Sequence, residues 1–220
     1  MKFLRLPVAR AARFLLPMAI FLLSPALHPA CAGEASGWEL TPFAGLHLGG
    51  SFEDNTTGAD LDAKDGGGFG FILAIPDEPD TRYEFLYAFQ RTKLEGDGTF
   101  GGEPLFDLDV HYFHLGGSYR IPTGGKVRPF VAGGLGATHF APRGDGPGAK
   151  TYFSVSLGGG AMIPVSGRVA LRLEGRGFLT VLPDDSEVFC VSSGGAACRV
   201  DVRGDVFGQF LLLAGIVFSL

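Results

Sequence analysis

The sequence predicts an all-β protein: an eight-stranded antiparallel up-and-down transmembrane β-barrel that follows a cleaved signal peptide. Three observations lead to this fold class. Apolar and polar side chains alternate along eight segments, long and short connections alternate between those segments, and glycine accounts for 35 of the 220 residues. Alternation with a period of two is the pattern of a strand. Abundant glycine without a collagen-like repeat suits the close packing and bending of a barrel wall.

The alternation is clearest in residues 82–90, RYEFLYAFQ. The odd-numbered positions from 83 to 89 are all aromatic. The even-numbered positions carry Arg82 and Glu84, followed by small, aliphatic and amide side chains. In a membrane barrel, the apolar face of each strand meets lipid and the polar face lines the interior. This stretch therefore predicts a strand whose aromatic residues lie outside and whose charges lie inside.

The N-terminal segment has the parts of a secretion signal. Four basic residues lie within positions 2–13, residues 14–23 are mainly apolar, and Ala30-Cys31-Ala32 supplies a small-residue cleavage site. We therefore expect residues 1–32 to be removed and residues 33–220 to form the barrel domain. A retained membrane anchor is an alternative that Pro17 and Pro25 disfavour. Lipid attachment at Cys31 is another, and the preceding His-Pro-Ala matches the lipoprotein pattern poorly.

The eight strands are expected in order along the chain. They cover residues 38–49, 68–75, 82–93, 105–120, 127–140, 151–163, 169–181 and 205–220. Polar, glycine-rich connections at 53–67, 95–104, 141–150 and 182–204 alternate with tight turns at 76–80, 122–126 and 164–168. Beyond His114 the alternation of the fourth strand blurs, which suggests a bulge and a change of parity at Gly116-Gly117. Strands of this length cross a bilayer when tilted, and barrel closure pairs the edge groups that lipid cannot satisfy.

The placement of lysine indicates which face is outside. A soluble eight-stranded barrel is apolar inside and polar outside, the reverse of a membrane barrel. Beyond the signal, the lysines are Lys64, Lys93, Lys126 and Lys150, and each falls in a connection or at a strand end. A soluble barrel would need such charges along its outer wall. The pattern therefore favours a membrane barrel, with the soluble barrel as the alternative.

The polar faces of the strands predict what fills the interior. Eight strands leave room for little more than side chains, and buried charges must be paired. We therefore expect a salt-bridged plug, with a narrow conduction path as the alternative. We expect Asp107 and Asp109 to lie toward the outside of the cell. The predicted interior set is Glu39, Arg82, Glu84, Asp107, Asp109, His111, Arg128, Arg172, Glu174, Arg176 and Gln209.

Other motifs carry weaker signals. His111 and His114 near Ser118 suggest a catalytic set, but parity places the two histidines on opposite faces, so we expect no catalytic site. Asp54, Asp60, Asp62 and Asp65 lack the ligand spacing of a calcium loop, so neither a metal nor a cofactor is expected. Cys190 and Cys198 lie in one connection of an exported chain and are expected to form a disulfide. The acidic chain, at −5, has no cluster of basic residues of the kind that binds nucleic acid.

Three stretches carry a family resemblance. Residues 128–139 (RPFVAGGLGATH), 157–163 (LGGGAMI) and 170–177 (ALRLEGRG) resemble strands of the OmpA/OmpW-like eight-stranded outer-membrane β-barrel families, as does the region around residues 189–198 and 208–210. The resemblance covers residues 38–220 and is specific for fold rather than function. It implies insertion by the outer-membrane assembly machinery. That machinery reads an aromatic-rich last strand, whereas this chain ends Phe218-Ser219-Leu220.

The resulting expectation is a non-enzymatic, monomeric protein of the bacterial outer membrane. It would contact outer-membrane lipids and lipopolysaccharide, with its loops extracellular and its termini periplasmic. Its role would be envelope integrity or the presentation of loops to partners. The resemblance to OmpW implies an alternative, a narrow passage for small or hydrophobic solutes. A lipid-modifying enzyme like the lipid A deacylase barrel is a third possibility. It would need a Ser/His pair on the outer wall, and the sequence offers no convincing one.

Overall fold

The computed structural model describes residues 37–53, 60–96, 104–143, 148–182, 186–189, 200–202 and 206–220. Among these residues there is no helix with the length and apolar character to span a membrane. Twelve strands occur in the described segments. They are β1 Glu39–Leu48, β2 Ser51–Glu53, β3 Asp60–Ala63, β4 Gly66–Pro76, β5 Thr81–Gly96, β6 Pro104–Arg120, β7 Arg128–Pro142, β8 Lys150–Ser166, β9 Val169–Val181, β10 Ser186–Phe189, β11 Val200–Val202 and β12 Val206–Ser219.

Eight long strands close into one antiparallel barrel. Their order around the wall is β1-β4-β5-β6-β7-β8-β9-β12, and β12 pairs with β1 to complete the circle. At this seam Glu39 is opposite Ser219, and the backbone nitrogen of Leu220 donates to the carbonyl oxygen of Trp38 at 2.9 Å. The predicted eight-stranded up-and-down barrel is therefore confirmed.

Four short strands lie outside the eight strands that the sequence predicted. β2 pairs with β3, and β3 also pairs with the end of β5, where Ala63 is opposite Leu94. β10 pairs with β11 within the expected loop 182–204. The polar and glycine-rich composition of these segments hid their strands, because their alternation covers only three or four residues. The first connection thus extends the barrel wall beyond β1 and β4.

The two ends of the barrel differ in their connections. Residues 77–80, 121–127 and 167–168 join strands at one end, which we call the short-turn end. The opposite ends of the long strands form the long-loop end, and β2, β3, β10 and β11 follow strands that end there. The predicted alternation of long and short connections is therefore present.

Side chains alternate between wall and interior along each strand. Over much of the wall, outward residues are apolar and exposed, such as Phe69 at 59%, Tyr83 at 60% and Leu157 at 76%. Inward residues on β5, β9 and β12 are buried at every second position. β6 pairs with β7 without a shift through Gly116 and Gly117. The expected bulge is therefore absent, and β6 keeps one parity from Asp107 to Tyr119.

Candidate functional site: the filled barrel interior

Four charged side chains meet near the middle of the barrel, and we call them the charge quartet: Glu84, Arg172, Glu174 and Arg176. Arg172 donates from Nη1 to Glu84 Oε1 at 2.9 Å and from Nε to Glu174 Oε2 at 2.8 Å. Arg176 donates from Nε to Glu174 Oε1 at 2.6 Å and from Nη2 to Glu84 Oε2 at 3.3 Å. Each carboxylate thus contacts both guanidinium groups, and the quartet has no net charge.

The strand pleat assembles this quartet. Arg172, Glu174 and Arg176 are alternate residues of β9, so all three face inward, and β5 supplies Glu84 from across the interior. All four are at most 4% exposed. Ser118 donates to Glu84 at 2.6 Å, and the guanidinium carbon of Arg172 lies 4.5 Å from the centre of the Phe130 ring. Charges buried this deeply are tolerated because each has several partners.

A separate ion pair lies nearer the short-turn end. Arg82 donates from Nε and Nη2 to the two carboxylate oxygens of Glu39, at 2.8 and 3.1 Å. β4 lies between the strands that carry these residues, and its inward residue opposite Glu39 is the small Ala74. A side chain of that size leaves room for Arg82 to reach Glu39. The fork geometry fixes both groups.

The interior changes character toward the long-loop end. The Tyr112 hydroxyl donates to Gln209 Oε1 at 2.9 Å, and His47 Nδ1 lies 3.0 Å from the same oxygen. An amide oxygen only accepts, so Nδ1 carries the proton of His47. Phe178 stacks on Tyr112 with ring centres 4.2 Å apart. Beyond this network the filling is mainly apolar, with Phe140 and Phe207 packed edge to face at 5.3 Å.

The histidine and serine that suggested a catalytic set have separate partners. His114 lies between the hydroxyls of Ser154 and Ser156, at 2.8 and 2.9 Å. Ser118 binds Glu84, and His111 lies on the other face of β6. The arrangement holds the imidazole inside the barrel wall and does not bring His111, His114 and Ser118 together.

Seven of the eleven predicted interior residues are buried inside the barrel. The structure corrects the placement of the other four. Asp107, Asp109 and His111 lie on the outer face of β6, because Leu108, Val110 and Tyr112 take the inward positions. Arg128 has inward parity, but it begins β7 at the short-turn end and is exposed there. The buried residues of the predicted set are Glu39, Arg82, Glu84, Arg172, Glu174, Arg176 and Gln209.

Sequence reasoning missed a polar cluster on the outer wall near the long-loop end. Asp109 accepts from Arg91 and from Arg143, each at 3.0 Å. One row below, His139 Nδ1 lies 2.8 Å from Thr151 Oγ1, and the Tyr87 hydroxyl lies 3.0 Å from His111 Nδ1. The signal was present in the polar residues at odd positions of β6 and β7. We assigned the polar odd-numbered residues of β6 to the interior and Arg143 to a loop.

Two further predictions concern cysteines and metals. Cys190 and Cys198 lie outside the described residues, as does the expected signal peptide. Across the described part of the chain, no three His, Cys, Asp or Glu side chains are grouped so as to hold a metal ion. Asp65 accepts from the backbone nitrogen of Gly49 at 2.7 Å, which gives it a role in the first connection.

Comparison with known proteins gives matches in structure only. No family model and no curated protein matches the sequence. The solved structure of AlkL, determined by solid-state NMR in DMPC bilayers, matches 90% of this chain and 98% of its own at 17% identity and a TM-score of 0.60. The fold is that of eight-stranded outer-membrane barrels. Neisserial surface protein A matches 86% of this chain and all of its own, at 15% identity and a TM-score of 0.58.

A third structure has the same architecture. OprG from Pseudomonas aeruginosa matches 86% of this chain and 99% of its own, at 13% identity and a TM-score of 0.57. These structural matches establish the shared barrel. Because the identities are low, the role of the interior has to be argued from this chain's own residues.

Proposed function

We propose that this protein is an integral barrel of the bacterial outer membrane whose interior is a closed plug. Its role is structural: it contributes to envelope integrity and presents its long loops to partners. On this proposal the signal peptide is removed, the short-turn end and both termini face the periplasm, and the long loops face outward. The protein acts as a monomer, is inserted by the outer-membrane assembly machinery, and contacts lipopolysaccharide. Cys190 and Cys198 form a disulfide within the last loop.

The charge quartet is the observation that carries this proposal. A conducting interior needs hydrated polar groups along its length, whereas these four side chains are almost fully withdrawn from solvent and satisfy one another. The Glu39–Arg82 pair closes the interior on one side of the quartet. The Tyr112, Phe178 and Phe140 rings fill it on the other. An eight-stranded barrel has little interior space beyond its side chains.

Planar-bilayer conductance of the refolded chain without residues 1–32 tests the plug. We expect the wild type to be silent. Glu174→Ala and Arg176→Ala each leave unpaired charge and empty volume in the interior, so we expect intermittent openings or a less stable barrel. Asp107→Ala is the matched control, because it removes an exposed carboxylate from the outer face. The control should be as silent and as stable as the wild type.

Stable conductance by the wild type would overturn the plug. It would favour the narrow solute passage instead, and the conducting path would then have to displace the charge quartet. Silent, fully stable Glu174→Ala and Arg176→Ala variants would also contradict the proposal, because a plug built on paired charges cannot lose one without effect.

A further inference from the structure

A cluster of charged groups lies on the outer wall where β5, β6 and β7 reach the long-loop end. We call it the rim cluster: Arg91, Lys93, Asp107, Asp109 and Arg143. The strand register brings them together, because Arg91 is opposite Asp109 and Lys93 is opposite Asp107. The backbone nitrogen of Arg143 donates to the carbonyl oxygen of Asp107 at 2.9 Å. Two of the three cations, Arg91 and Arg143, form ion pairs with Asp109, and Lys93 lies opposite Asp107 in the strand register.

One carboxylate holds the two arginines close together. Arg91 Nε and Arg143 Nε each lie 3.0 Å from a different oxygen of Asp109. The Asp109 side chain is 15% exposed, whereas those of Arg91 and Arg143 are 53% and 48% exposed. Both arginines use Nε for Asp109, and about half of each side chain is exposed. Two guanidinium groups fixed beside each other in this way present paired donors to an incoming oxyanion.

An aromatic surface begins directly below the rim cluster on the same three strands. Phe89 and His111 have ring centres 4.9 Å apart, and Tyr87 and Phe113 are 5.2 Å apart. The Arg91 guanidinium carbon lies 6.0 Å from the Phe89 ring centre, which joins the cluster to this surface. The wall therefore passes from two adjacent arginines to aromatic rings within one or two rows of residues. This arrangement complements an anionic amphiphile whose charged head lies at the arginines and whose apolar chains lie on the rings.

We propose that the rim cluster binds the phosphate group of a phosphorylated membrane lipid, with the lipid's chains lying on the aromatic surface below it. The Nη donors of Arg91 and Arg143 would bind phosphate oxygens, and Lys93 would add charge at the rim. Asp109 positions the arginines and does not touch the lipid. The inference concerns the outer wall, so it stands or falls separately from the plug in the interior.

Native mass spectrometry of the protein released from non-ionic detergent tests this directly. The probes are dioleoyl phosphatidic acid and dioleoyl phosphatidylcholine, titrated separately, with inorganic phosphate as a soluble competitor. The test variant is Arg91→Gln with Arg143→Gln. The matched control is Arg128→Gln with Arg168→Gln, which removes two exposed arginines at the short-turn end. All variants are first shown to be folded by their strand circular dichroism.

We expect the wild type to retain phosphatidic acid in preference to phosphatidylcholine. The rim variant should weaken phosphatidic acid binding about tenfold or more, the loss expected for one or two hydrogen bonds to a charged group, and the control pair should not. Phe89→Ala should weaken binding of the lipid and leave binding of inorganic phosphate unchanged.

Three results would overturn the proposal. They are equal retention of the two lipids, equal loss in the rim and control variants, and competition by inorganic phosphate as effective as that by phosphatidic acid. The last result would identify a site for small anions that makes no use of the aromatic surface. The conductance result is unaffected by any of these outcomes, so failure of the lipid site and failure of the plug are distinguishable.

Discussion

The two halves of the barrel interior are filled by different chemistry. Toward the short-turn end, the charge quartet and the Glu39–Arg82 pair place three carboxylates against three guanidinium groups. Toward the long-loop end, the interior is filled by rings and aliphatic side chains such as Tyr112, Phe178 and Phe140, with a few neutral hydrogen bonds between them. The named residues of both halves are almost fully buried, but different chemistry stabilises them there.

The difference teaches how each half tolerates change. Apolar filling loses contacts in proportion to the atoms removed, and its neighbours relax partly into the space. Ion-paired filling fails abruptly, because loss of one partner leaves the other charge buried without compensation. A paired interior is therefore specific about its partners. An apolar interior is specific mainly about volume.

The largest effect is expected from Glu84→Gln. This change keeps the size of the side chain but leaves Arg172 and Arg176 sharing the single carboxylate of Glu174. We expect the free energy of unfolding to fall by about 4 kcal/mol, measured by urea titration of the barrel in lipid vesicles. Asp107→Asn, on the outer face, is the control and should change it by less than about 0.5 kcal/mol. Equal losses in the two variants would contradict the assignment of the quartet as the charged support of the interior.

Phe178→Ala tests the apolar half. The ring stacks on Tyr112 at 4.2 Å and meets His114 edge to face at 5.2 Å. We expect a loss of about 3 kcal/mol from lost contacts and a residual cavity. Because no charge is exposed, the loss should be the same in low and high salt, as judged by urea titration at both. Phe153→Ala, which removes a ring from the outer wall, is the matched control. A loss that depends on salt concentration would contradict the apolar character assigned to this half of the interior.

The smallest effect is the coupling between Glu39 and Arg82. Glu39→Gln, Arg82→Met and the double variant form a double-mutant cycle read by the same unfolding titration. We expect the double variant to be more stable than the sum of the single losses implies, with a coupling free energy of about 2 kcal/mol. The pair is nearly buried and doubly hydrogen-bonded, so its coupling free energy should exceed that of a surface ion pair. Additive losses would show that the two charges act independently.

Much of the barrel was predictable because its alternation is continuous. Residues 82–90 present aromatics at every odd position, and the structure places those side chains on the wall and Arg82 and Glu84 inside. The same alternation correctly predicted that Arg172, Glu174 and Arg176 of β9 face the interior. In these strands the outward residues are apolar and the inward residues are polar, and the sequence shows this contrast as alternation.

The prediction failed where that contrast ends. Asp107, Asp109 and His111 lie at the long-loop end of β6, where polar residues are allowed outside and apolar residues fill the interior. Polarity alone therefore assigned these residues to the wrong face, whereas the parity of the polar residues His114 and Ser118 on the same strand would have assigned them correctly. The partners within the quartet were also beyond the sequence, because β5 and β9 meet across the interior only in the folded barrel.

The sequence separation of the quartet has a consequence for folding. Glu84 lies 88 and 92 residues from its partners Arg172 and Arg176, so no hairpin formed early contains both sides of these ion pairs. Contacts of such long range slow folding, because loop entropy is lost before the contacts form. In an open sheet, Arg172 and Arg176 share the single carboxylate of Glu174 on their own strand, and Glu84 supplies the second carboxylate only when the circle closes. The charges therefore favour the complete barrel over every partly closed intermediate.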